Sequence, residues 1–154
     1  MTTYIGIDPG RRMGWCVLSD EGIVSDSYDI GPHGSKQLRA LYGLLGEILK
    51  LHYKHGPLLL CYEEPAMLRG HALTQIQRML GVIMLFCEFE DVPHYPVNQS
   101  TLKAYIREQS GIEGKVDKEA IVKATQAREP SISDHNEADA YWLACYGRDV
   151  VLSQ

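Results

Sequence analysis

Tyr4-Ile5-Gly6-Ile7-Asp8-Pro9-Gly10 is the stretch whose reading decides the fold. Strand alternation puts Ile5 and Ile7 on one face and Gly6 and Asp8 on the other, so a carboxylate emerges beside a residue with no side chain, where another element can approach closely. Pro9-Gly10 ends the strand, and the apolar run Met13 to Leu18 suits an antiparallel partner returning through a tight turn. Burying the charge of an acid in an inner strand costs on the order of several kcal/mol unless a cation or donors meet it. The rest of the chain is therefore read for what meets Asp8.

With 154 residues, 45% of them hydrophobic, the chain fits one domain, 1–154, with a core of its own. The net charge of -5 argues mildly against a polyanionic partner. It is only a sum, however: if several acids gather in one metal site, Arg11, Arg12, Arg69, Arg78, Lys103, Arg107, Lys115, Lys118, Lys123 and Arg128 can still form basic stripes. Cys16, Cys61, Cys87 and Cys145 stand singly in apolar runs, the pattern of reduced core residues and not of zinc ligands or disulfides. No window approaches the roughly 18 to 20 consecutive apolar residues of a membrane span, and Met1-Thr2-Thr3 does not open a basic-then-apolar leader. The expectation is a cytoplasmic protein with no membrane partner.

Ser19-Asp20-Glu21-Gly22 is a turn, and Ile23 to Ile30 reads as a third strand, which makes the opening a three-stranded meander. Gly31-Pro32-His33-Gly34 breaks it. Ser35 is placed to cap a helix of about five turns whose Leu38, Leu41, Leu45, Ile48 and Leu49 share one face. Leu58 to Tyr62 is a continuous apolar run suited to a strand buried on both faces, and it ends in Glu63-Glu64-Pro65: again an interior strand delivering carboxylates just before a proline.

His71 to Glu90 reads as a helix that starts polar and finishes apolar on every side, so one face of its second half is expected to meet another subunit. Pro93 to Val97 is a short strand, Thr101 to Arg107 a helix, and Asp117 a cap for the helix after the glycine-rich, basic loop 110–115. Ser133 to Glu137 opens a last helix with Ala138, Leu143 and Ala144 as packing positions. A meander followed by two crossover units implies an α/β fold: a mixed sheet of three antiparallel and two parallel strands, with helices on both faces.

Asp139 lies early in that last helix between Ala138 and Ala140, small residues that let a helix lie close to a sheet. It can therefore reach the strand ends that carry Asp8 and Glu63. The mutual repulsion of three such acids is relieved by hard divalent cations with oxygen ligands, Mg2+ or Mn2+. Two ions roughly 4 Å apart can activate a water and stabilise the leaving oxygen in phosphodiester hydrolysis.

Four blocks, Ile5 to Gly10, Tyr62 to Pro65, Gly114 to Glu119 and Asn136 to Ala140, together resemble the successive motifs of RuvC-type Holliday junction resolvases. Compact length and the Asp134-to-Ala140 block look most like the phage-type branch, in a bacterial cell. The resemblance implies a ribonuclease H-like fold, and a homodimer that cuts four-way and other branched DNA with Mg2+ or Mn2+. It implies Asp8, Glu63 and Asp139 as metal-binding catalytic acids, Lys118 with Lys115 near the scissile phosphate, and Met67, Leu68 and Arg69 in a loop at the junction centre.

The fourth ligand is where the chain departs from the family pattern, which places an acid or histidine where Asn136 stands. Helical spacing favours Asn136 or His135. Asp134 is chemically the better ligand but must reach in from the helix entry, or else it serves as the N-cap. Arg11, Arg12, Arg69 and Lys115 are the candidate DNA contacts. Tyr141 and Trp142 suit core or dimer packing better than base stacking. Two other functions fit the same sequence: an RNA-processing nuclease of the YqgF type, and a branched-DNA binding module left inactive by its incomplete fourth ligand.

Overall fold

The computed structural model describes residues 1–65 and 68–152. Among these, β1 (Thr3–Asp8), β2 (Arg12–Ser19), β3 (Gly22–Asp29), β4 (Leu58–Glu64) and β5 (His94–Asn98) form one sheet in the order β3-β2-β1-β4-β5. β1, β2 and β3 pair antiparallel, while β1 with β4 and β4 with β5 pair parallel. This is the meander plus two parallel strands that the sequence predicts.

Side-chain alternation then sorts the core into two layers. Ile5 and Ile7 of β1, Met13, Trp15 and Val17 of β2 and Leu60 and Tyr62 of β4 pack under α1 (Ser35–His52) and α2 (Gly70–Phe89). Cys16, Leu18, Leu59 and Cys61 face the other way, against α3 (Gln99–Ser110), α4 (Lys118–Arg128) and α5 (His135–Tyr146). Gly6, Asp8 and Glu63 share the parity of this second face. All four cysteines are buried and free.

Three local readings change. Ser35 is the first helical residue, not the cap: Gly34, with φ 136, makes the entry to α1 without a side-chain hydrogen bond. α3 begins at Gln99, two residues before the predicted start, because Asn98 accepts from the Ser100 N–H and acts as its N-cap. A π-helical turn, Gly147–Val151, continues α5, which the sequence does not announce.

α5 is the central helix. Ala138 and every residue from Ala140 to Tyr146 are buried, so it is enclosed between the sheet and α3 and α4. Tyr141 and Trp142 belong to this core. The Trp142 indole N–H donates to the Thr125 hydroxyl at 2.9 Å, and that hydroxyl donates on to the Ile121 carbonyl at 2.7 Å. Both buried polar groups are thus satisfied, avoiding a penalty of about 1–3 kcal/mol each.

By length and composition α2 is long and apolar enough to cross a membrane. Its Met79, Leu80, Ile83, Phe86 and Cys87 are buried in the sheet-facing layer, and Met84, Leu85 and Phe89 are exposed.

Candidate metal centre

The parallel pairing of β1 with β4 matches Gly6 to Cys61 and Ile7 to Tyr62, so the next step along both strands brings Asp8 beside Glu63. α5 supplies the third acid because two glycines let its backbone rest on the sheet. A Cβ on Gly14 would stand 2.0 Å from the Asn136 carbonyl oxygen, and Gly6 is in equally close contact with Ala140 one helical turn on. Asp139 lies between those two contacts. One carboxylate oxygen from each of Asp8, Glu63 and Asp139 falls within a mutual 4.8 Å.

Electrostatics record the crowding. Burial, then the neighbouring charges of Asp139 and Glu63, push Asp8 well above the usual carboxylate range. The proximity of the Asp8 and Glu63 carboxyls pushes Asp8 up and draws Glu63 down. Burial and the Glu63 charge raise Asp139 to about 7, against the opposing pull of Lys118 and Lys103. Glu63 is raised by burial, while its hydrogen bond to Asp8 and the Lys103 charge act the other way. Three converging carboxylates whose charges are this poorly met suit a hard cation that takes oxygen ligands.

A cleft of about 250 Å3 opens beside the acids, lined by Glu63 and Asp139 together with Lys103, Lys115 and Lys118. Lys103 comes from α3, Lys115 from the α3–α4 loop and Lys118 from the first turn of α4. Asn98 starts α3, and Gly111, left-handed at φ 68, ends it. Arg107 then holds the loop by donating to the Gly114 carbonyl at 2.5 Å, Val116 is buried as its anchor, and Asp117 caps α4 by accepting from the Ala120 N–H at 2.9 Å. Nothing local in the sequence marks Lys103 as a site residue. The signal for it lies in topology: β5 runs parallel to β4, so the helix after β5 starts at the sheet end where the acids sit.

The other candidates fall elsewhere. Asp134 is the N-cap of α5, accepting from the Asn136 N–H at 2.9 Å, and it also takes a hydrogen bond from Ser27 and lies 3.7 Å from Arg12. Burial opposes its charge, yet Ser27, Asn136, His135 and Arg12 together hold Asp134 below the ordinary range. Among the described residues neither Asp134 nor His135 joins the group of acids. Asn136 donates its side-chain amide to Asp134 at 3.3 Å. Arg11 pairs with Asp29 at 3.3 Å, and Arg69 is exposed at the entry to α2. Met67 lies outside the described residues. Glu137, which helical spacing turns away from Asp139, instead accepts from Ser25 at 2.9 Å.

Solved structures share this architecture, and two of them are of one bacterial protein. Thermus thermophilus RuvC in complex with a Holliday junction substrate superimposes with a TM-score of 0.73, at 19% sequence identity, over 94% of this chain and 91% of that one. The fold is ribonuclease H-like. A second Thermus thermophilus RuvC structure gives a TM-score of 0.72 at 18% identity, covering 95% of each chain. No protein-family model and no curated protein matches the sequence.

Proposed function

We propose that this protein is a metal-dependent endonuclease that resolves four-way and other branched DNA junctions. The observation that carries the reading is the convergence of Asp8, Glu63 and Asp139, from three distant segments, at the ends of two adjacent parallel strands. Divalent cations held by these three acids, Mg2+ or Mn2+, would supply Lewis-acid activation of water and neutralise charge on the leaving oxygen.

The chain's own residues supply the remainder. Lys103, Lys115 and Lys118 line the same cleft as the acids, so a phosphodiester drawn toward the cations is also met by ammonium groups. The buried floor of Leu102, Ile106, Val116 and Ile121 keeps that cleft partly dry, which strengthens both attractions. The likeness to the junction-bound structure supports four-way DNA as substrate.

A four-way junction offers two equivalent strands, and a two-fold dimer offers two equivalent sites for them. The exposed apolar group Met84, Leu85 and Phe89 on α2 supports that assembly, and it is the surface we assign to it. The test of substrate class is a side-by-side cleavage assay on a four-way DNA junction and a structured RNA, each with Mg2+ and with Mn2+. Cutting of the DNA junction alone is the expected result; preference for the RNA would transfer the site to an RNA-processing role.

A further inference from the structure

The cleft that holds the acids does not end at Lys118. On the far side of that residue a second, larger groove of about 530 Å3 runs between α4 and the start of α5, and Lys118 lines both. Resting on the nuclease reading above, we infer that this groove carries the DNA strand away from the scissile phosphate, with Lys123 contacting its backbone.

A strand cut at the acids must continue in both directions, and the cations around the acids decide where. At the β1–β2 turn, Arg11 and Arg12 are each already beside an acid, Asp29 and Asp134. Lys118 and Lys123 have no acid within ion-pair distance among the described residues. The two acids that border the groove do not cancel them. Asp134 is occupied by Ser27, Asn136 and Arg12, and Glu119 stands in the first turn of α4, where the helix dipole offsets its charge.

Spacing agrees. Lys118 and Val122 stand four residues apart on one face of α4, Lys123 and Gln126 three apart on the adjoining one, and both rows border the groove. Half-buried Val122 gives the groove an apolar patch for a sugar or base, and Gln126 adds a neutral hydrogen-bonding group.

The test is equilibrium binding of a synthetic four-way DNA junction and of a structured RNA without divalent metal, across a salt series, for wild type, Lys123→Ala, Lys123→Glu and Lys50→Glu. Lys50 is exposed at the C-terminal end of α1, away from both grooves, and matches the charge change of Lys123→Glu. Expected results are about 5- to 10-fold weaker binding for Lys123→Ala, a salt slope shallower by about one, and a larger loss for Lys123→Glu. Lys50→Glu stays within about twofold, and Mn2+ affinity by calorimetry is unchanged in all variants.

Wild type that binds while Lys123→Glu binds equally well overturns the groove and leaves the nuclease reading standing. Equal weakening by Lys50→Glu also overturns it, since net charge alone would then explain the loss. Wild type that binds no DNA overturns both. Tighter, Lys123-dependent binding of structured RNA overturns DNA as the occupant.

Discussion

Gly6 of β1 and Ala140 of α5 are in backbone contact: a Cβ on Gly6 would stand 1.9 Å from the Ala140 carbonyl oxygen and 2.8 Å from the Ala144 N–H nitrogen. Neither atom is on a flexible side chain that could yield. The helix that carries Asp139 must therefore lift from the sheet if Gly6 gains a methyl group. Gly6→Ala is expected to destabilise the protein by about 3 kcal/mol or more, and Gly14→Ala, 2.0 Å from the Asn136 carbonyl, by a similar amount. Gly10→Ala, whose nearest contact would be 3.8 Å, is the control and should change stability by less than about 1 kcal/mol. Thermal unfolding followed by circular dichroism checks all three.

Burial and crowding of the acids make the metal-free protein a strained state. Asp139 titrates near 7 when folded, against about 3.9 in an unfolded chain. The folded protein therefore binds that proton more tightly, and the Asp139 contribution to metal-free stability falls as pH rises from about 4 to about 7, then levels. Asp139→Asn removes this contribution and leaves those of Asp8 and Glu63. It should be more stable than wild type at pH 8 without metal, by about 1–3 kcal/mol, with the gap closing near pH 4. Excess Mn2+ should reverse the order at pH 8 by stabilising wild type alone.

Metal binding must displace the same protons. Affinity for Mn2+ should rise with pH through the region around 7 set by Asp139. Calorimetry at pH 6.5 in two buffers of different ionisation enthalpy counts the protons released. About one or more per binding event is expected, and none would mean the acids are already ionised.

Lys103 faces both Glu63 and Asp139 and favours their charged forms. Its ammonium also repels an incoming cation. Lys103→Ala should thus leave Mn2+ affinity equal or a few-fold higher at pH 8.5, about 0.5–1 kcal/mol, while cleavage falls by roughly 10- to 100-fold for want of a phosphate contact. The opposite directions of the two readouts separate a phosphate-holding lysine from one that merely supports the fold.

The exposed Leu85 and Phe89 on α2 give a further expectation. Leu85→Glu with Phe89→Glu should convert a dimer to monomer in sedimentation velocity with little change in the monomer's secondary structure. A wild type that sediments as monomer would remove the assigned surface.

Much of the architecture was legible because the deciding signals are local. Alternation around Gly6 and Asp8, a continuous apolar run ending at Glu63, and prolines after both acids place two strands in an inner sheet. The position of Asp139 followed from its alanine neighbours. What the sequence concealed depends on distant packing. The clip of Asp134 by Ser27, and of Glu137 by Ser25, joins an edge strand to a helix more than 100 residues later, and nothing near Asp134 announces it. Lys103 hid for the same reason: its role comes from which end of the sheet α3 starts on. The enclosed state of α5 was also unreadable from periodicity, since a helix buried on all sides has no polar stripe to count.

In the function proposed, Asp8, Glu63 and Asp139 form one metal-dependent cutting site for branched DNA. The most direct measurement is cleavage of a synthetic four-way junction beside a linear duplex of the same sequence, with Mg2+, Mn2+ or chelator, for wild type and Asp8→Asn. Paired, symmetric nicks are expected in the junction alone, absent with chelator, together with an Asp8→Asn variant that still binds the junction without cutting it. Cleavage retained by Asp8→Asn, or an intact wild type that binds the junction and cuts nothing with either metal, would contradict that function.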